Sequence, residues 1–301
     1  MTATPAPDPI AAVPPAPDPI AAAAEQGRIC ALAAHGQRAL RRSAAAHPDL
    51  FPGEPFDATL FSSIASAMAF SAPWHTAAEL AVTNRAVLWG FAVDWLVDHQ
   101  ATSRAEVDRI ADTCLGVLDG ADPGDPLGRF LAELRDDVAA APGYPALRGR
   151  WRATMRRTLD AMAREWTWRG TGHPTLAEYL ANADNLAATV VNVAHWIHTG
   201  SVTDAAALDR LIEVGDEVQR ALRLVNDLGT HRRDVASGDL NALLLVDDPA
   251  EIERRFAEQV EHCRVLLAKL ATEAPREADF LSRQLGYTTG FYRHTDFWGV
   301  R

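Results

Sequence analysis

Leu224-Val-Asn-Asp-Leu-Gly-Thr-His-Arg-Arg-Asp234 is the most informative stretch of this 301-residue chain. On a helix, Asn226, Thr230 and Asp234 follow one another at intervals of four residues and share one face. Amide, hydroxyl and carboxylate oxygens are ligands that a hard cation such as Mg²⁺ accepts, together with water and phosphate oxygens. Spaced polar residues are also common on solvated helix faces, so this stretch alone leaves a metal site and a polar surface equally open.

A pair of acidic residues lies earlier in the chain, near the end of a long apolar helix predicted over residues 76–98. Asp94 and Asp98 are four residues apart and share a face, although most of their neighbours are apolar. Carboxylates in apolar surroundings need a partner because burial of an unpaired charge is costly, and a metal ion is one such partner. A pair of acids at a solvated helix end is the simpler alternative.

The pattern of apolar residues predicts helices along the whole chain and no convincing strand. Turn clusters at residues 120–126 and 170–174 separate successive helical segments. Two proline-rich repeats predict a disordered tail over residues 1–18, and no composition shift divides residues 19–301. The expected fold is a single all-α domain of roughly ten helices.

Composition narrows the classes of function. The net charge of −11, without any basic run, disfavours binding to nucleic acid or to an anionic membrane. The three cysteines are far apart in apolar helical contexts and are expected to be reduced core residues. Neither a signal-peptide pattern nor an uncharged apolar stretch of about 18 residues is evident, so we expect a cytoplasmic protein.

Two oxygen-rich faces on an all-helical domain suggest chemistry on a diphosphate. Several Mg²⁺ ions between the faces could neutralise a diphosphate leaving group, and Arg233 could contact its oxygens. If the diphosphate departs without a nucleophile, the carbocation needs a dry cavity with inert and aromatic walls. Tryptophans such as Trp95 and Trp196 suit such walls, although large aromatic residues in a bundle are usually core residues.

Together the two motifs resemble the metal-binding motifs of bacterial class I terpene synthases. The second motif of that family reads Asn/Asp-Asp-x-x-Ser/Thr-x-x-x-Glu, usually with Lys or Arg before the last acid, and precedes a Gly-Asp-x-x-Asn run. Residues 226–234 and 238–241 match it, with Asp234 in place of the final Glu. Residues 91–98 match the aromatic-flanked DDxxD motif, and Trp95 replaces its second acid.

The middle of the chain resembles the helix that leads to the cavity in this family. The Tyr179-x-x-Asn182 spacing is closest to kaurene-synthase-like diterpene synthases. Many sesquiterpene-type members carry a diphosphate-sensing arginine soon after this tyrosine, whereas this chain reads Ala-Asp-Asn at 183–185. The C-terminal Arg-Tyr pair of the family is present only in altered form, as Tyr292-Arg293. The class II motif Asp-x-Asp-Asp is absent, which disfavours cyclisation by protonation.

The resemblance implies a helical bundle around a central cavity and Mg²⁺-dependent loss of diphosphate from a C20 prenyl or bicyclic labdane- or clerodane-type diphosphate, giving a cyclic diterpene. It implies that three Mg²⁺ ions are held by catalytic ligands, which are Asp94, Asp98, Asn226, Thr230 and Asp234. The implied substrate contacts are Arg233, Trp95, Trp196, Tyr179 and Arg293. A separate class II cyclase that supplies the substrate, and a homodimer, are the partners that the resemblance implies.

Two alternatives remain open from the sequence. A sesquiterpene synthase acting on farnesyl diphosphate would keep the mechanism and change the substrate. A non-catalytic helical binding protein would explain the altered first motif as lost metal chemistry, and it predicts no Mg²⁺-dependent release of diphosphate. Head-to-head and chain-elongating prenyl synthases are disfavoured because the Asn226, Thr230 and Asp234 set is not a second acid-only motif.

Overall fold

A computed structural model describes residues 18–172 and 174–299, and these form eleven α-helices with no β-strand among them. The helices are α1 (Pro19–Ala46), α2 (Ala58–Ser71), α3 (Ala77–Trp95), α4 (Arg104–Leu118), α5 (Pro126–Ala139), α6 (Tyr144–Thr171), α7 (Leu176–Leu180), α8 (Ala188–His198), α9 (Ala205–Ser237), α10 (Ala250–Leu270) and α11 (Pro275–Tyr292). The all-α prediction is confirmed. The disordered tail predicted over residues 1–18 lies outside the described residues, apart from Asp18.

Side-chain caps fix several of the helix starts. Asp18 and Asp57 accept hydrogen bonds from backbone amides in the first turns of α1 and α2. Thr76 begins α3 in a capping box with Glu79, in which each side chain bonds the backbone N–H of the other residue. These bonds satisfy amides that the helix itself leaves unpaired, so the chain sequence sets where the helices start.

The core lies between α3, α6 and α8 and contains fully buried Trp89, Trp151 and Trp196. Cys114 and Cys263 are buried in it, as the sequence predicts. Cys30 is exposed, and its predicted core position is wrong. The reason is that Ile29 faces α2 from α1, so the residue that follows it points away from the core.

One segment of the described chain, Ala77–Gln100, is long and apolar enough to cross a membrane by length and composition alone. In its most apolar window, 61% of the residues are buried inside the protein. This burial is what a central core helix requires, and the segment contains α3 together with the turn that follows it.

His195 is a fully buried titratable residue of this core. Its Nδ1 atom lies 2.8 Å from the hydroxyl of Thr83, and its ring stacks on Phe280. Burial lowers the pKa of His195 to about 3, and nearby His75 and His198 lower this pKa further. Because the unfolded chain takes up a proton near the ordinary pKa of 6.5, the folded state loses stability as the pH falls below that value.

We expect wild-type protein to lose about 2 kcal/mol more unfolding free energy than His195→Gln between pH 7 and pH 5. Urea denaturation at the two pH values measures this difference. His35→Gln, on the exposed face of α1, is the control and should behave as wild type does. Equal losses in wild type and His195→Gln would show that His195 does not cause the acid sensitivity.

Candidate active site

A cavity of about 400 Å³ lies between α2, α3, α6, α8, α9 and α11. Along α3 and the turn that follows it, the wall runs from the small and apolar residues Val87 and Gly90 to Asp94 and Asp98. Along α9 the wall runs from Leu222 to Asn226 and Asp234. The cavity therefore has an apolar body and a polar mouth, which lies at the C-terminal ends of α3 and α9.

Asp94 and Asp98 form the first acidic face, and both line the mouth of the cavity. The α-helix ends at Trp95, and the chain continues in a π-helical turn, Leu96–Gln100, which contains Asp98. Turns of this kind occur often at functional sites because they shift the direction of a side chain within a helix. The regular α-helical geometry assumed from the sequence therefore gives way to a wider helical turn at Asp98.

The two acids of this face share an unfavourable electrostatic environment. Burial raises the pKa of Asp94 to about 6. Burial and the neighbouring Asp94 carboxylate raise the pKa of Asp98 well above its ordinary value. A bound cation would relieve both effects, because it supplies the opposite charge that apolar surroundings lack.

The second face has the predicted composition on α9. Asn226 and Asp234 line the cavity, whereas Thr230 is buried between them and lines the neighbouring groove between α9, α10 and α11 instead. The Thr230 hydroxyl lies 2.6 Å from Oδ2 of Asp234. The Thr230 hydroxyl also lies 2.8 Å from the carbonyl oxygen of Asn226. Asn241 donates to Oδ2 of Asp234 over 2.9 Å. Asn241, which belongs to the Gly-Asp-x-x-Asn run after the motif, thus orients the Asp234 carboxylate.

The C-terminal end of α11 closes onto this face. Asn226 donates from its amide nitrogen to the hydroxyl of Tyr292 over 2.7 Å, so the amide oxygen is not the atom engaged in that bond. Gly229 permits this approach, because a Cβ atom there would lie 2.9 Å from the backbone oxygen of Tyr292. Arg233 extends the contact through ion pairs of 3.1 Å with Asp234 and 3.0 Å with Asp296.

The donor set suits Mg²⁺ better than a transition metal. Within the part of the chain that the structure describes, no three His, Cys, Asp or Glu side chains gather as a metal-binding group. The first face instead offers two carboxylates, and the second offers one carboxylate together with an amide oxygen and a hydroxyl oxygen. A hard cation that keeps water and phosphate oxygens as further ligands fits such a divided set.

Trp95, which occupies the position of the missing second acid, belongs to an aromatic wall. Its ring meets that of Phe56 edge to face at 6.2 Å, and Trp298 meets Phe56 at 5.7 Å and Phe91 at 5.0 Å. Trp95, Phe91 and Trp298 all line the cavity. The aromatic wall presents π faces and edges instead of a third carboxylate at this point of the motif.

Three residues predicted to contact substrate lie elsewhere. Trp196 is fully buried in the core against Phe280, because apolar patterning does not distinguish a core from a cavity wall. Tyr179 is also fully buried and does not line the cavity, since its hydroxyl points to Asp227 and donates a hydrogen bond to Oδ1 over 3.1 Å. Arg293 is exposed beside a separate groove between α9, α10 and α11, because the cavity-facing position at the end of α11 belongs to the preceding residue.

A buried charge network lies next to the second face and contributes Glu165, Arg223 and Asp227 to the cavity wall. Arg223 bonds Tyr179 from Nε over 2.8 Å and pairs with Glu165 at 3.0 Å and with Asp227 at 3.4 Å. Burial raises the pKa of Asp227 to about 7, although Arg223 and the backbone amide of Ala242 oppose the shift. The network fixes the segment of α9 that carries the metal-binding face.

Sequence reasoning missed several residues at the mouth. Glu165 and Arg169 of α6 line the cavity, and so does Asp239 from the run after α9. Arg169 pairs with Asp98 at 2.8 Å and with Asp239 at 2.6 Å. The interval of four residues between Glu165 and Arg169 could have indicated them, because it places both side chains on one face of α6.

One polar feature interrupts the apolar body of the cavity. Gln284 and Thr288 of α11 line it, and Gln284 exchanges two amide hydrogen bonds of 3.0 and 3.1 Å with buried Asn192 of α8. The mutual bonds satisfy one donor and one acceptor on each amide and hold α8 against α11 at this depth.

Comparisons with known proteins agree with this geometry. The family model described as terpene synthase family 2, C-terminal metal binding, matches residues 85–248, which is more than half of the chain. The ent-pimara-9(11),15-diene synthase of Streptomyces sp. (strain KO-3988) is 28% identical over 271 residues, covering 86% of this chain and 90% of that protein.

Solved structures share the fold. The 2-methylisoborneol synthase of Streptomyces coelicolor A3(2), in complex with Mg²⁺ and geranyl-S-thiolodiphosphate, has a TM-score of 0.69 at 18% identity, covering 89% of this chain and 91% of that one. The linalool/nerolidol synthase of Streptomyces clavuligerus, in complex with 2-fluorogeranyl diphosphate, has a TM-score of 0.66 at 19% identity, covering 85% and 94%. The chain belongs to terpene synthase family 2 and is a bacterial class I terpene synthase.

Proposed function

We propose that this enzyme is a diterpene synthase that ionises a C20 diphosphate and cyclises the resulting carbocation. The observation that carries the proposal is the meeting of Asp94, Asp98, Asn226 and Asp234 at the mouth of one apolar cavity. Membership of the synthase family removes the non-catalytic binding protein as an alternative.

The residues of the mouth would bind the leaving group. We propose that Asp94 and Asp98, with Asn226, Thr230 and Asp234, hold three Mg²⁺ ions. Bound Mg²⁺ supplies the positive charge that neutralises a departing diphosphate. Arg233 lies beside the second face and can donate charge-assisted hydrogen bonds to diphosphate oxygens.

The apolar body of the cavity would protect the cation after ionisation. Its aliphatic and aromatic side chains offer no nucleophile and exclude water. Phe91, Trp95 and Trp298 place aromatic rings in this wall, where they can stabilise positive charge. The Gln284 and Thr288 side chains supply oriented dipoles in this wall.

The C20 substrate rests on the diterpene-forming relative, whose similarity covers 86% of this chain. The Tyr179-x-x-Asn182 spacing adds support for a bicyclic labdane- or clerodane-type diphosphate, which a separate class II cyclase would supply. We also propose a cytoplasmic homodimer on analogy with the family. Farnesyl diphosphate is the second candidate substrate, because a cavity of about 400 Å³ does not exclude a shorter chain.

Incubation of the purified enzyme with farnesyl, geranylgeranyl and bicyclic C20 diphosphates, with Mg²⁺ or with EDTA, tests this function. We expect a cyclic hydrocarbon from one C20 substrate, detected by gas chromatography and mass spectrometry, and none after EDTA treatment. Product from farnesyl diphosphate alone would contradict the diterpene assignment and support the sesquiterpene alternative. Product formation that persists in EDTA would contradict the metal-dependent mechanism.

A further inference from the structure

Arg169 connects the first metal-binding face to the segment that follows the second one. It lies near the C-terminal end of α6, where it pairs with Asp98 of the first face at 2.8 Å. The same guanidinium pairs with Asp239, which follows the second face, at 2.6 Å. A third contact of 3.3 Å reaches the backbone oxygen of Asp98. A single side chain therefore links the π-helical turn after α3 to the segment after α9.

Arg169 differs from the other arginines at the cavity. Among the described residues, three arginines line it, and Arg223 is fully engaged by Glu165 and Tyr179 in a buried network. Arg233 is held by Asp234 and by Asp296. Arg169 and Arg233 each occupy a carboxylate of a metal-binding face, but of these three arginines Arg169 is the one that pairs with both the turn after α3 and the segment after α9. A cation that binds the Asp98 carboxylate competes with one of the ion pairs of Arg169.

The guanidinium also has an unused donor. The Nε atom of Arg169 is buried and has no hydrogen-bond partner. A buried donor without an acceptor is unfavourable, and an acceptor that enters the cavity would relieve this state. Guanidinium groups bind phosphate oxygens through paired N–H donors in one plane, so a diphosphate is an acceptor of suitable shape.

We propose that Arg169 exchanges partners during substrate binding. Before substrate binds, Arg169 holds Asp98 and Asp239 together. Once a cation occupies Asp98, the Arg169 guanidinium binds diphosphate oxygens. The inference rests on the proposed function. It assigns Arg169 two opposite roles, since the residue competes with the cation for Asp98 and then assists the diphosphate that arrives with it.

These roles predict opposite effects of one substitution. Arg169→Gln should bind Mn²⁺ alone at least as tightly as wild type, because the Asp98 carboxylate is released. The same variant should bind inorganic diphosphate in the presence of Mg²⁺ about tenfold to a hundredfold more weakly, because charge-assisted hydrogen bonds are lost. A purely structural role of Arg169 would weaken both interactions.

Electron paramagnetic resonance with Mn²⁺ and calorimetry with inorganic diphosphate and Mg²⁺ measure the two affinities. Arg150→Gln is the matched control. Arg150 also lies on α6 and pairs with Asp209 at 3.0 Å, and neither residue lines the cavity. This control should match wild type in both measurements. Unchanged diphosphate affinity in Arg169→Gln, or weaker Mn²⁺ binding, would overturn the proposal.

Failure of the proposed function gives a different result, because wild type itself would then bind no diphosphate with Mg²⁺. If circular dichroism shows that Arg169→Gln is not folded, the same measurements are made on Arg169→Lys. Lysine keeps the charge and offers a point contact in place of the planar pair of donors. We expect it to lose diphosphate affinity with no loss of Mn²⁺ affinity, and diphosphate binding equal to wild type would contradict the partner exchange.

Discussion

Asp94→Asn is expected to lower kcat/KM for Mg²⁺-dependent diphosphate release by about a thousandfold. The substitution keeps the shape of the side chain and removes the negative charge that a cation requires at the first face. Asp94 and Asp98 are the two carboxylates of the first face at the mouth, so the substitution removes half of the negative charge of that face. Product formation at saturating and limiting Mg²⁺ measures the effect.

The same substitution should stabilise the protein. The folded-state pKa of about 6 exceeds the ordinary value of 3.8, so ionised Asp94 makes the folded state less stable as the pH rises through this range. Because Asp94 still faces the open cavity, we expect a gain of about 1 kcal/mol at pH 8. Asp108→Asn, at a surface pair with Arg104, should change neither activity nor stability appreciably. Full activity of Asp94→Asn would refute the assignment of this face.

Arg223→Met is expected to lower the free energy of unfolding by about 3–5 kcal/mol. Arg223 is buried, and its removal leaves Glu165 and Asp227 without their cationic partner and removes the donor to Tyr179. Uncompensated buried carboxylates are costly because the apolar surroundings do not solvate them. Chemical denaturation followed by circular dichroism measures the loss.

Two further variants show whether this loss comes from buried charge. Arg223→Met combined with Asp227→Asn should recover part of the stability, since one unpaired carboxylate is removed. Arg152→Met breaks the pair with Asp119 at the protein surface and should cost less than about 1 kcal/mol. Equal losses at Arg152 and Arg223 would contradict the explanation.

The helices and the two metal-binding faces could be predicted from the sequence because they depend on the local periodicity of residues. Asn226, Thr230 and Asp234 share a face wherever α9 is helical, and Asp94 requires only that α3 continue to its position. The family motifs rest on the same local spacing. This part of the prediction therefore needs no knowledge of how the helices pack.

Contacts across the mouth depend on packing and were not predictable from spacing. Arg169 is about 70 residues from both Asp98 and Asp239, so only the placement of α6 brings them together. The choice between Tyr292 and Arg293 depends on the rotation of the last turn of α11, where one position changes the direction of a side chain by about 100°. Such a rotation follows from tertiary contacts such as the close approach at Gly229.

The aromatic wall affects how this enzyme should be produced for product analysis. Phe297 and Trp298 line the cavity and follow the end of α11 by a few residues. A purification tag fused shortly after Trp298 can disturb the wall that shapes the product. A tag fused before α1 avoids this disturbance, since no described residue of α1 lines the cavity. Product mixtures from the two fusions should therefore be compared before any skeleton is attributed to the native wall.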